Sequence, residues 1–165
     1  MSRTFFALIA VLLATATPAV ADTITVATMT PFAEDSGVTD NVKNECGFET
    51  HLPKYLKSYA KKAGVKVVLT SDALDSVEGR VLILTTTEVF AMGGGGYSGA
   101  KSATVEAKLM ENGEVIGTAT SHRRALMGMM PGTCSMMKRV AKILGKDVGE
   151  WLANPTMDAN LGDAH

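Results

Sequence analysis

The sequence predicts an α/β (α+β) two-layer sandwich: a mixed sheet of about five strands, closing in a three-strand meander, with two main helices on one face. Three observations predict it. Short β-branched runs are interleaved with two stretches whose apolar residues step by three and four. Asn112-Gly113 separates two segments of extended character, the strongest short hairpin signal, because a type I′ turn needs positive φ at both central residues. No internal repeat or long linker divides the chain.

The elements follow in order. Residues 23–29 alternate with β-branched side chains and read as a first strand. Residues 31–40 form a loop containing Ser36-Gly37. A helical pattern then sets Val42, Cys46, Leu52, Leu56, Tyr59 and Ala63 near one stripe, with Lys54, Lys57, Lys61 and Lys62 elsewhere. Asp40 can cap its start and Gly64 its end. Pro53 removes a backbone donor inside this stretch, so a kink or two shorter helices are expected. Residues 65–70 read as a short strand and 72–79 as an irregular connection. Residues 80–92 are a long apolar and β-branched run, expected to be buried on both faces in its first half. Residues 101–111 alternate, with Ala103, Val105, Ala107 and Leu109 on one face. Residues 114–124 return across the turn, with Leu109 expected opposite Ile116 and Val105 opposite Thr120. Thr133 can cap the second helix, whose stripe is Met137, Val140, Ala141, Leu144, Val148, Trp151 and Leu152. Asn154-Pro155 ends it, and residues 156–165 are expected to be a flexible tail.

The N-terminus carries a targeting pattern. Arg3 precedes an uncharged stretch, residues 4–16, and Ala19-Val20-Ala21 supplies the small residues of a cleavage site. A secretory signal over residues 1–21, cut after Ala21, is the expectation. The apolar run is too short for a bilayer span, which needs roughly 20 residues. Residues 22–155 then make a single periplasmic domain. No cysteine follows the cut, which argues against a lipid anchor. The formal net charge is −1. Such a balance speaks against non-specific binding to nucleic acid or anionic lipid.

A set of motifs supports a resemblance. Gly93-Gly94-Gly95-Gly96-Tyr97-Ser98-Gly99-Ala100-Lys101-Ser102 precedes an alternating strand and the Asn-Gly turn. Gly132-Thr133-Cys134-Ser135, Leu144-Gly145-Lys146-Asp147 and Trp151-Leu152 follow. Together they resemble a group of small exported proteobacterial domain proteins, over roughly residues 46–155. More distantly, the element order is similar to the α/β domain of CsgG and the N-terminal domain of TolB. The resemblance implies a fold and a compartment and no catalytic residues. The chain lacks the lipidated cysteine, pore-forming strands and partner domain of CsgG, so no secretion-channel role is implied.

Chemistry is sparse. Cys46 and Cys134 are the only cysteines, each at or near the start of a helix, and in an oxidising compartment such a pair defaults to a disulfide. Reactive thiols are the alternative, since a helix N-terminus lowers a thiol pKa. Met127, Met129, Met130, Cys134 and His122 form a soft-ligand set of the kind that selects Cu(I). Methionine as a filler of irregular core gaps explains the same residues without a metal. The glycine loop from Gly93 to Gly99 lacks the Gly-Lys-Ser/Thr end of a phosphate-binding loop and precedes a strand. Ser98 stands in Gly96-Tyr97-Ser98-Gly99-Ala100, where the strand-to-helix context of a nucleophile elbow is missing. The loop reads better as a contact surface with one exposed aromatic, Tyr97. His51, His122 and His165 show no i, i+4 pairing of the kind a helix-borne zinc site uses. Glu34-Asp35 and the pair Asp72 and Asp75 read as solvated loop charges. His122-Arg123-Arg124 fits either an anion contact or a strand end leaving the core. The function expected is that of a non-enzymatic envelope domain acting by protein interaction or small-ligand binding, with no catalytic residues and no cofactor. The alternative is a copper or thiol-redox protein built on the Cys134, methionine and His122 set, and last comes a hydrolase through Ser98.

Overall fold

In the computed structural model, residues 23–93, 98–126 and 132–164 are described. A mixed six-stranded sheet carries its helices on one face. The strands are β1 (Thr23–Ala27), β2 (Lys66–Thr70), β3 (Arg80–Phe90), β4 (Lys101–Glu111), β5 (Glu114–Ala125) and β6 (Ala159–Gly162). Their order across the sheet is β2-β1-β3-β4-β5-β6. β1 lies parallel to both neighbours, β3, β4 and β5 form the antiparallel meander, and β6 pairs parallel with β5. The helices are α1 (Asp40–Glu45), α2 (Phe48–Lys62) and α3 (Thr133–Trp151), and a single 3-10 turn, Leu74–Ser76, interrupts the β2–β3 connection. The two-layer α/β class and the meander agree with the expectation; the sheet has six strands where about five were expected.

The core lies between the sheet and the α2–α3 layer. Leu52 and Leu56 of α2 and Met137, Val140, Ala141, Leu144 and Val148 of α3 are fully buried, as their spacing predicts, while towards the end of α2 the buried position is Ala60 and not Tyr59 or Ala63. They cover Ile24 and Val26 of β1, Leu82 and Leu84 of β3, and Ala103, Val105, Ala107 and Leu109 of β4. No helix of the described residues covers the other face, so β4 and β5 alternate, and β3 does so from Leu82 to Thr86. Ile83 on that face is exposed, so the first half of β3 is buried on both faces only at Val81 and Leu82, and not throughout as expected.

Four local expectations change. The first helical stretch does divide in two, but the break is at Gly47, with φ 57°, and not at Pro53. Pro53 sits inside α2 without ending it, because the carbonyl it leaves without its helical partner, that of Glu49, accepts the Thr30 N–H at 2.9 Å. In the hairpin, Asn112 and Gly113 have φ 50° and 87°, as a type I′ turn requires. A bulge next to Met110 then shifts the ladder by one, so Leu109 faces Gly117 and Val105 faces Ser121. Thr133 is the first residue of α3 and not its cap; Gly132 holds the cap position. Finally, residues 159–162, expected in a free tail, form β6. The Thr118 hydroxyl donates to Asp158 Oδ1 and accepts from the Asp158 N–H at 2.7 Å, which fixes the entry to that strand.

Candidate functional site

Two places at the same end of the sheet gather chemistry. The first is the mouth of the glycine loop. Gly93, Ser98 and Gly99 are described there; Gly94, Gly95, Gly96 and Tyr97, like Met127, Met129 and Met130, lie outside the described residues. The first residue of β4, Lys101, is 0 % exposed. Its Nζ donates to Ser98 Oγ at 2.8 Å and to the Gly99 carbonyl at 3.1 Å. A lysine so fully buried is rare unless paired, and among the described residues no carboxylate meets it. Ser98 Oγ donates in turn to the Met92 carbonyl at 3.3 Å, which also accepts from the Thr133 hydroxyl at the start of α3. The end of β3, the start of β4 and the start of α3 are therefore tied at one point. Around it stand exposed apolar side chains: Phe90 at 52 %, Met92 at 54 % and Leu126 at 65 %. Neither Ser98 nor Lys101 was singled out by the sequence as a bonded pair, although their i, i+3 spacing was visible.

The cysteines are joined. Cys46, between α1 and α2, bonds Cys134 in the first turn of α3, with Cα atoms 4.7 Å apart across a separation of 88 residues. The Cys134 sulfur is thereby unavailable as a thiolate ligand in this form. His122 is not brought to it either. Ser121 and Arg123 of β5 reach Asp147 of α3, so the intervening His122 projects from the opposite, open face. There its Nδ1 lies 2.9 Å from Thr104 Oγ1, which also bonds Glu88 Oε2 at 3.1 Å. Among the described residues no group of three or more His, Cys, Asp or Glu side chains could hold a metal ion.

The basic run His122-Arg123-Arg124 has a structural use that the sequence left open. Arg123 Nε and Nη2 donate to the two Asp147 oxygens at 2.7 and 3.0 Å, and Ser121 Oγ donates to the same carboxylate. This hydrogen bonding raises the Arg123 pKa above its ordinary value, partly opposed by burial. At the first turn of α2, burial together with the nearby Lys138 and Lys54 charges lowers the His51 pKa below its ordinary 6.5, with Glu49 opposing.

The second place is a cleft of about 340 Å³ beyond the carboxyl end of β1. Met29, Thr30, Pro31 and Phe32 line it from the loop after the strand, Lys43 from α1 and Glu49 from the first turn of α2. The topology explains its position. From β1 the chain turns one way, through α1 and α2 to β2, while β3 leads the other way into the meander. Such a switch point leaves a crevice outside the carboxyl ends of parallel strands. The sequence places Met29 at the end of the first strand and Pro31 and Phe32 in a loop, and it singles out neither Lys43 nor Glu49, since no motif marks them.

Compared with protein-family models and with curated proteins, the chain has no match. Solved structures do match. A variant of PelC from Paraburkholderia phytofirmans, solved as a dodecamer, aligns at TM-score 0.56 and 18 % identity over 78 % of this chain and 87 % of that one. A Xanthomonas campestris protein of the DUF330 family aligns at TM-score 0.53 and 11 % identity over 83 % of this chain and 88 % of that one. At these identities the likeness is one of fold. The structures it matches here are PelC and the DUF330 protein, where element order suggested CsgG and TolB. Element order alone does not fix strand order or which face the helices cover, and these decide a structural match.

Proposed function

We propose that this chain is an exported envelope domain that acts by contact with other protein chains, through the end of the sheet where the glycine loop emerges. The observation that carries the reading is the group Phe90, Met92 and Leu126, each more than half exposed, on the rim tied together by Lys101, Ser98 and Thr133. Large apolar side chains gathered in water at one rim are a feature of association surfaces. A rim fixed by a buried lysine and two hydroxyls presents them with little ordering still to be lost on binding. The signal pattern over residues 1–21 supports export, with a periplasmic domain beginning at Asp22. The partner class to test first is a second copy of this chain, because PelC, which shares the fold, was solved as a dodecamer.

Sedimentation velocity across a range of concentrations, on protein recovered from periplasm, tests the reading. Self-association that is lost in a Phe90→Ser, Leu126→Ser double variant is the expected result. Photocross-linking from position 90 in cells separates self-contact from contact with another envelope protein. A monomer at every concentration, with no adduct from position 90, would rule the proposal out. The intact mass of the same preparation reports whether the chain begins at Asp22.

A further inference from the structure

The cleft beyond β1 holds polar groups that the fold does not use. Thr30 is 1 % exposed, and its Oγ1 has no hydrogen-bond partner among the described residues. Glu49 Oε2 is likewise buried and without a partner. Lys43 lines the same cleft and forms no ion pair among the described residues. A buried acceptor left without a donor is unfavourable, and the great majority of such groups in folded proteins are satisfied. The walls around them are apolar: Met29, Pro31 and Phe32.

The site is also built, not draped. The Thr30 N–H is held by the Glu49 carbonyl at 2.9 Å, the Pro31 carbonyl accepts from Thr86 N, and the Thr86 carbonyl accepts from Ala33 N. Phe32 stacks on the fully buried Phe48 with ring centroids 5.9 Å apart. The backbone from Thr30 to Ala33 is therefore anchored to α2 and β3. At 340 Å³ the cleft falls in the range of small-molecule sites, roughly 300–1,000 Å³, and it lies at the switch point where open α/β sheets take ligands.

We propose that this cleft binds a small zwitterion with an apolar body, the chemistry of a free α-amino acid. The ligand's ammonium pairs with the Glu49 carboxylate on the side of the Thr30 hydroxyl, its carboxylate meets the Lys43 ammonium, and its side chain packs against Met29, Pro31 and Phe32. One acid, one base, one hydroxyl and three apolar walls match such a ligand group for group. A purely cationic ligand would leave Lys43 as a like charge on the rim, and a purely anionic one would leave Glu49 so. Phe90, Met92 and Leu126 take no part, so this site stands or falls independently of the contact surface proposed above.

The test is titration of the isotope-labelled, processed protein with L-phenylalanine, phenethylamine and phenylacetate, followed by amide NMR shifts. L-phenylalanine is expected to give saturable shifts at residues 28–32 and 48–51. Phenethylamine and phenylacetate, each lacking one charge, are expected to bind about tenfold more weakly. Glu49→Gln is expected to abolish binding of phenethylamine while sparing phenylacetate, and Lys43→Met to do the reverse. Lys43 is exposed, so its substitution leaves the fold intact even if the Glu49 variant is perturbed. No saturable shift with L-phenylalanine, equal binding of all three probes, or unchanged affinity in the Lys43→Met variant overturns the proposal.

Discussion

Asp147 fastens the helix layer to the sheet. Its carboxylate, 8 % exposed, accepts from Arg123 twice and from Ser121 once, and Arg123 reaches on to Asp163 at 3.4 Å. A fork-to-fork arginine–carboxylate pair is stronger than a single-point contact because both bonds form in one geometry. Removing the acid leaves the guanidinium with only its 3.4 Å contact to Asp163, and a buried serine hydroxyl without its acceptor. Asp147→Ala is therefore expected to lose about 2 kcal/mol of stability, discounted for the exposed side of Arg123. Urea unfolding measures it, and a loss near zero would show that solvent screens the pair. Lys101 is the other residue whose chemistry the sequence did not disclose. The alternation of β4 places it on the helix face, and only the folded loop supplies the Ser98 hydroxyl and Gly99 carbonyl that receive its ammonium.

At the scale of elements, the contact between α2 and α3 is set by two glycines. A Cβ on Gly145 would lie 2.8 Å from the Leu56 backbone nitrogen, and one on Gly149 would lie 2.9 Å from the Ala60 backbone nitrogen. The two are one helical turn apart, so α3 presents a flat strip and the helix axes approach closely. Neither position stood out in the apolar stripe, because a stripe marks what is buried and not how near the neighbour comes. Gly145→Ala forces the helices apart against backbone, which cannot rotate away. It is expected to cost about 1–3 kcal/mol despite the better helix propensity of alanine. A calorimetric melt decides between the terms: a raised Tm would mean that propensity outweighs the clash. The hairpin carries a related lesson. Its turn was legible in Asn112-Gly113, but the bulge was not. Gly117 faces Leu109, and a Cβ there would lie 3.0 Å from the Trp151 ring. The register thus accommodates a side chain arriving from α3.

For the whole molecule, the Cys46–Cys134 bridge closes the longest covalent loop and ties the α1–α2 junction to the start of α3. By the chain-entropy account, closing a loop of that size stabilises by about 4–5 kcal/mol. A Cys46→Ala, Cys134→Ala variant is expected to lose stability of that order, seen as a lower urea midpoint. If reductant does not lower the midpoint of the unsubstituted protein, the bridge contributes nothing. The bridge also stands behind the loop end of the sheet, so the same variant tests whether the rim of Phe90, Met92 and Leu126 depends on it.

The sequence by itself determined most of the element types, the meander with its turn and the two main helical stripes, and made a disulfide the default for the only two cysteines. These are local or compositional properties: periodicity of 2 or 3.6, a two-residue turn that tolerates few residue types, and an even number of thiols. Only the tertiary structure decided the rest. It added β6, whose four residues carry no pattern of their own and pair because β5 offers an open edge. It set the one-residue shift of the hairpin, the use of Arg123 by Asp147, and the separation of His122 from Cys134 on opposite faces. It also assembled the cleft, which joins residues 29–32 to Lys43 and Glu49. Strand order and helix placement bring those residues together, and no local spacing encodes either.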